Sequence, residues 1–323
     1  MEPILQVRDL WITFKRLGGG IGPRNVNAVK DVSFDLGESE IFSVVGESGS
    51  GKTTLGKGIA RLVPPTKGSI LYKGNNVMKL RGEELRKYRA DVQMVFQDPF
   101  GSLNPRYDVL TTVSEPLQNL SHLNDPTELK EIVGNLLEEV GLDSERVLTR
   151  YPHQLSGGER QRVNIARAIA SEPKILIADE PITMLDAEQR LSVLSLLMDL
   201  KSKRRLSVLF ITHDLASAKL VSDRIMVMYL GKIVESGDTE AVLTKPHHPY
   251  AEVILKAMPT LHTYADAVQR ELKIAMRDDF VGKGCAFRPK CAYANEKCAE
   301  IEPSLVEITR SHYAACHWPL NST

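Results

Sequence analysis

The segment Gly46-Glu47-Ser48-Gly49-Ser50-Gly51-Lys52-Thr53 matches the pattern G-x-x-x-x-G-K-[ST] without deviation. Its glycines let backbone N–H groups close around phosphate oxygens, and a helix opening at its end adds a positive dipole. Lys52 is then placed to reach the outer phosphates of a nucleoside triphosphate, and Thr53 to ligate Mg²⁺. A chance glycine-rich turn is the bland alternative. Against it, the apolar run Ile41–Val45 precedes the loop, and Leu55, Ile59 and Leu62 follow on one side of a helix. Further on, Lys174-Ile175-Leu176-Ile177-Ala178-Asp179-Glu180 reads as a buried strand ending in two carboxylates. Asp179 suits a second Mg²⁺ contact and Glu180 the polarisation of an attacking water. Paired acids there could instead cap the next helix, a reading weakened by the phosphate loop upstream.

A second anion-binding helix end is encoded in Leu155-Ser156-Gly157-Gly158-Glu159-Arg160-Gln161. Ser156 and Glu159 satisfy the S-x-x-E capping box, and the two glycines leave the helix start open to a phosphate. One nucleotide does not easily use both helix ends within one subunit, so the second is expected to serve a nucleotide bound by a partner.

The elements that must carry these groups are legible in outline. Short apolar runs at Ile41–Val45, Ile175–Ala178, Val208–Thr212 and Ile225–Tyr229 alternate with helical stretches, the pattern of an α/β protein with a mostly parallel sheet. Leu129, Ile132, Val133, Leu136, Leu137 and Val140 form a helical stripe that stops at Gly141, and Leu191, Val193, Leu194 and Leu197 suggest another. Residues from about 99 to 170 lack strand signals and read as a helical insert. Gly18-Gly19-Gly20-Ile21-Gly22-Pro23 reads as a flexible surface loop. The pattern changes at Pro246-His247-His248-Pro249-Tyr250. The expected division is a nucleotide-binding domain over 1–240 and an extension over 241–323.

These motifs and their order resemble the ABC ATPase family over residues 4 to 240. The resemblance implies ATP contacts at Gly46, Glu47, Ser48, Gly49, Ser50, Gly51, Lys52, Thr53 and Thr54, and at Ser156, Gly157, Gly158 and Glu159 for the partner's ATP. Gln97, in Val95-Phe96-Gln97-Asp98-Pro99, looks like the glutamine that contacts Mg²⁺ or the lytic water. Met184-Leu185-Asp186 looks like the loop that crosses the dimer interface, with Thr183-Met184 replacing its usual small residues. His213 matches the histidine that binds the γ-phosphate, and Phe14 the aromatic that stacks on adenine, with Trp11 as its substitute. Catalytic roles thus fall to Glu180, His213 and Gln97, and Mg²⁺ contacts to Thr53, Gln97 and Asp179. More narrowly, the run from Phe96 to Arg106 and the tail from His248-Pro249-Tyr250 onward are similar to oligopeptide and dipeptide importer ATPases. That likeness implies a second ATPase subunit in a head-to-tail dimer, expected to be a heterodimer. It also implies two permeases, an extracytoplasmic binding protein and a place at the cytoplasmic face of the membrane. Members also carry nickel or oligosaccharides, so the likeness does not fix the cargo.

All four cysteines lie in the tail, as Cys285-x₅-Cys291-x₆-Cys298-x₁₇-Cys316. Zinc sites pair ligands more tightly than this, and disulfides are disfavoured in a reducing compartment. A [4Fe–4S] cluster takes four thiolates across wider loops, and the family resemblance adds to that reading; Zn²⁺ stays as the alternative. His317 adjoins Cys316 and reads first as an exposed histidine, with a role as substitute ligand the alternative.

Composition sets outer bounds. The 323 residues are 42% hydrophobic with 41 basic and 41 acidic side chains, which argues against nucleic-acid binding. No apolar run approaches the ~20 residues of a bilayer span, and the first residues show no secretory signal. Two rivals remain: a soluble ABC ATPase outside transport, and a catalytically inactive partner in a heterodimer. The first generally needs long coiled-coil inserts or two ATPase domains, and Glu180, His213 and the intact Ser156–Glu159 box argue against the second.

Overall fold

The computed structural model describes residues 3–17, 23–99, 101–257 and 282–321. Of the expected loop 18–23, residues 18–22 lie outside the described residues, as does Phe100, while Pro23 already belongs to a strand.

Among the described residues eight strands form the central sheet. Five are parallel: β3 (Ile41–Val45), β6 (Val92–Val95), β7 (Ile175–Asp179), β8 (Ser207–Thr212) and β9 (Arg224–Tyr229), ordered β9-β3-β8-β7-β6. Every residue of β3, β7 and β8 is buried. Alternate side chains along these strands enter different cores, which is why they read as continuous apolar runs. Ile41, Leu176, Ala178, Val208 and Phe210 face the helical insert. Phe42, Val44, Ile175, Ile177, Leu209 and Ile211 face Leu55 and Ile59 of helix α1 (Lys52–Ile59) and a second sheet. That sheet is antiparallel and comprises β1 (Leu5–Leu17), β2 (Pro23–Leu36), β4 (Lys67–Tyr72) and β5 (Asn75–Asn76). It is an addition to the mostly parallel sheet expected. Its first strand escapes a period-two reading because register breaks around Asp9 (φ 46), moving the buried positions from Leu5 and Val7 to Leu10 and Ile12.

The insert is helical, as the sequence predicts. After α2 (Gly82–Asp91) it contains α3 (Val109–Ser121), α4 (Pro126–Glu139), α5 (Ser144–Val147) and α6 (Gly157–Ile169). Leu129, Val133, Leu136, Leu137 and Val140 of the expected stripe are buried and Ile132 is half-buried against the same core, and Gly141 at φ 75 takes the left-handed turn that ends it. In α7 (Ala187–Arg204), Val193, Leu194 and Leu197 face the core with Leu196 and Leu200, but Leu191 is 60% exposed and lies off that face.

After α8 (Leu215–Val221) and β9, strand β10 (Lys232–Asp238) turns back antiparallel, followed by α9 (Thr239–Thr244) and α10 (Pro249–Lys256). The tail contributes α11 (Glu296–Glu300), β11 (Val306–Thr309) and β12 (His312–Ala314). Strand β12 pairs with β10, so the extension continues the same sheet. Glu235, fully buried on β10, anchors this join. Its carboxylate accepts the His247 and His248 backbone N–H groups, both at 2.8 Å, and lies 2.7 Å from His312 Nε2. At the rim, Glu302 pairs with Lys30 and Lys232. Removing a buried acceptor that satisfies three donors leaves all three orphaned. Glu235→Ala is therefore expected to cost about 3 kcal/mol or more of unfolding free energy by chemical denaturation. Glu302→Ala, a partly exposed pair, is expected to change it by about 1 kcal/mol or less.

Candidate nucleotide-binding site

The carboxyl ends of β3, β6, β7 and β8 converge, and each delivers a polar side chain. From β3 the chain enters the loop 46–51. A Cβ on Gly46 (φ 153) would stand 2.2 Å from the Met228 carbonyl oxygen, and one on Gly51 (φ 104) 2.1 Å from that of Ala28. Only glycine fits at either place. Gly51 starts α1 with no side-chain cap, which leaves the first-turn N–H groups open. Ser48 and Gly49 are exposed, Ser50 is buried, and Thr54 is half-buried on α1. Lys52, 5% exposed, bends back to donate to the carbonyls of Gly46 (2.6 Å) and Glu47 (2.9 Å). Burial pushes its ammonium below the usual range, against the pull of Glu180, Asp179 and Glu47.

Thr53 Oγ1 donates to Asp179 Oδ1 at 2.9 Å, joining α1 to the end of β7. Burial raises the Asp179 carboxyl, with the Thr53 hydrogen bond opposing. The next residue, Glu180, takes a left-handed backbone (φ 47) and is the hub of the site. Its Oε2 accepts from Thr183 Oγ1 at 2.8 Å and Gln97 Nε2 at 3.3 Å, and stands 3.0 Å from His213 Nδ1. Burial acts to raise its carboxyl, but the His213 and Thr183 hydrogen bonds and the charges of His213 and Lys52 outweigh it and hold it low. The same hydrogen bond raises His213, with burial opposing. Thr183 was missed by sequence reasoning, where it counted only as a departure from the small residues usual before Leu185-Asp186.

Ser156 caps α6 as expected. Its hydroxyl accepts the Glu159 N–H at 3.2 Å, and Glu159 Oε2 accepts the Ser156 N–H at 2.8 Å. This turn packs on the start of α7: a Cβ on Gly158 would lie 2.5 Å from Gln189 Oε1, and one on Gly157 3.9 Å from Leu185. Asp186 caps α7 through the Gln189 N–H. Gln97 is linked to α6 through the segment that follows it, where Ser102 Oγ donates to Asn164 and Arg167 to the Ser102 carbonyl. Phe14 is 43% exposed, opposite an equally exposed Val26, and open to stacking. Trp11 instead carries Lys67 over its ring at 5.8 Å.

Cys285, Cys291, Cys298 and Cys316 line one cavity with Phe287, Trp318 and His317. All four are free thiols, and burial pushes those of Cys285 and Cys291 up and that of Cys316 to about 11. Among the described residues no group of three or more Cys, His, Asp or Glu is arranged to hold a metal ion, so the expected cluster has no preformed cage. His317 Nε2 lies 2.8 Å from the Ile301 carbonyl oxygen.

The Glu180–His213 pair makes a pH prediction. A raised imidazole stabilises the fold fully below its unfolded value, and the contribution is lost as pH rises through the folded value. Glu180→Gln is expected to bring His213 down toward the ordinary ~6.5, read from its ring protons by NMR titration. An unchanged midpoint would refute the coupling.

Comparison with known proteins places this geometry. Residues 29–183 match the ABC transporter family, and residues 234–298 the oligopeptide/dipeptide transporter C-terminal region. The dipeptide transport ATP-binding protein DppF of Haemophilus influenzae is 41% identical over 91% of this chain and 90% of its own length. The oligopeptide transport ATP-binding protein AppF of Bacillus subtilis is 40% identical over 98% and 97%. Among solved structures, a dimeric ATP-binding cassette in a post-hydrolysis state with ADP and phosphate is 30% identical, with a TM-score of 0.65, covering 73% of this chain and 98% of that one. CbiO1 of Clostridium perfringens, from the transporter complex cbiONQ, is 25% identical with a TM-score of 0.64, covering 85% and 96%. The α/β sheet, the phosphate loop and these relatives agree: the chain belongs to the ATP-binding subunits of the ABC transporter family, in the group that carries the oligopeptide/dipeptide C-terminal region.

Proposed function

We propose that this subunit binds and hydrolyses ATP at a head-to-tail dimer interface and so energises import of peptides through two separate permeases. A heterodimeric ATPase pair and an extracytoplasmic binding protein complete the assembly, at the cytoplasmic face of the membrane. The observation that carries the reading is the convergence of Lys52, Thr53, Asp179, Glu180, Gln97 and His213 at the ends of four parallel strands. The cassette occupies 1–240 and the extension 241–323. The names of the relatives support peptide cargo; oligosaccharide or nickel is the alternative. Among the described residues no helix is long and apolar enough to cross a membrane, which fits a subunit that acts through permeases.

In this reading the backbone of residues 46–54 cradles the phosphates, Lys52 turns from its carbonyl partners to the outer phosphates, and Phe14 stacks on the base. Ser156, Gly157, Gly158 and Glu159, with Asp186 beside them, meet the partner's nucleotide. Mg²⁺, a hard cation suited to the oxygens of Thr53, Asp179 and Gln97, neutralises phosphate charge when bound. Glu180, held ionised by its neighbours, orients the attacking water, and His213 contacts the γ-phosphate. Replacing Glu180 with Gln keeps the shape and removes the charge. ATP binding is expected to survive while turnover falls by about 10³-fold or more, and Lys52→Ala is expected to weaken binding itself. Wild-type turnover in Glu180→Gln would overturn the assignment.

The four cysteines, gathered on one cavity, are proposed to hold a [4Fe–4S] cluster that pins the tail, with Zn²⁺ as the alternative. Burial raises the thiols of Cys285, Cys291 and Cys316, and binding a cation as thiolates would release protons. Anaerobic purification is expected to yield brown protein with about four irons per chain. Colourless protein with one zinc would decide for the alternative.

A further inference from the structure

The motif His248-Pro249-Tyr250 has no part in the reaction above, yet it reaches the phosphate loop. Pro249 opens α10, and Glu235 fixes the turn before it by accepting the His248 N–H. His248 Nδ1 in turn accepts the Tyr250 N–H at 3.0 Å. Tyr250 is fully buried, and its hydroxyl accepts the Glu47 N–H at 3.1 Å. The Gly46 carbonyl belongs to the same peptide unit and accepts from Lys52 Nζ at 2.6 Å. One peptide plane of the phosphate loop is thus held from both sides. When Lys52 turns to phosphate, Tyr250 is the partner that stays.

The Tyr250 ring is itself seated by the tail. Tyr229 lies 4.6 Å from it and Phe287 5.4 Å, centroid to centroid, and Phe287 is 3% exposed. Phe287 follows Cys285 by two residues and lines the cysteine cavity.

We propose that Tyr250 is a positioning residue for the phosphate loop, fixing the Gly46–Glu47 peptide through its hydroxyl, and that Phe287 of the cysteine-bearing tail holds its ring in place. The extension is in this sense part of the nucleotide site. The inference rests on the reading of residues 46–54 as the ATP phosphate cradle.

Tyr250→Phe removes one oxygen and keeps the packing. In the full chain it is expected to raise the ATP KM and the equilibrium dissociation constant for ATP about 5-fold, the size of one neutral hydrogen bond. The kcat is expected to stay within about 2-fold, with Tm lowered by no more than about 4 °C, the effect of one lost hydrogen bond. Phe287→Leu keeps the hydroxyl but loosens its seat, and is expected to shift KM in the same direction. Tyr250→Phe with wild-type ATP affinity would overturn the assignment, as would a loss in which KM, kcat and Tm move together. Lys52→Ala separates the two levels. If it binds ATP normally, the cradle reading falls and this inference with it. If it binds poorly while Tyr250→Phe is normal, only the Tyr250 assignment falls.

Discussion

Glu180 is a carboxylate withdrawn from water beside a second carboxylate, Asp179, and everything at the site depends on how that charge is satisfied. Desolvation opposes ionisation of both acids, and close like charges add to the difficulty. The structure answers with hydrogen-bonding partners from three places, His213 after β8, Gln97 after β6 and Thr183 on Glu180's own turn after β7, and with the nearby charge of Lys52 on α1. Thr53 does the same for Asp179. Each donor comes from a different strand end, so the cluster exists only if the parallel register is right. A buried, mostly satisfied polar cluster thereby ties the fold to the site.

The same economy of burial explains the extension. Glu235 is as deeply buried as any core residue, and it is tolerated because two backbone N–H groups and an imidazole meet it. Those donors belong to the turn that leads into α10 and to β12, so satisfying one carboxylate docks the tail onto β10. The docked tail brings Phe287 against Tyr229 and Tyr250, and Tyr250 against the Gly46–Glu47 peptide. Two buried acids thus organise the nucleotide site and the module behind it.

The helical insert has a different relation to the site. Its α6 start is capped by its own Ser156 and Glu159 and packed on α7, which leaves the turn complete within one subunit. The segment after Gln97 reaches the same helix through Ser102 and Asn164.

Local chemistry was readable from residue order. The phosphate loop, the capping box at Ser156, the buried strands and the α4 stripe ending at Gly141 depend on neighbours within a few residues, and each stands where the sequence predicts. Longer-range features were hidden for identifiable reasons. The antiparallel sheet was missed because a bulge at Asp9 breaks the alternation that marks a strand. Leu191 was misplaced because four leucine-rich positions on one helix do not say which arc meets the core. Tyr250 carries no local signal, since its partner is a backbone amide 203 residues away; Thr183 lies only three residues from Glu180, but its role depends on how that side chain turns. The sequence by itself determined which groups could handle a triphosphate and in what order they occur. Only the tertiary structure decided which partners Glu180 collects and that the tail buttresses the loop, because desolvation and packing depend on neighbours the chain order does not name.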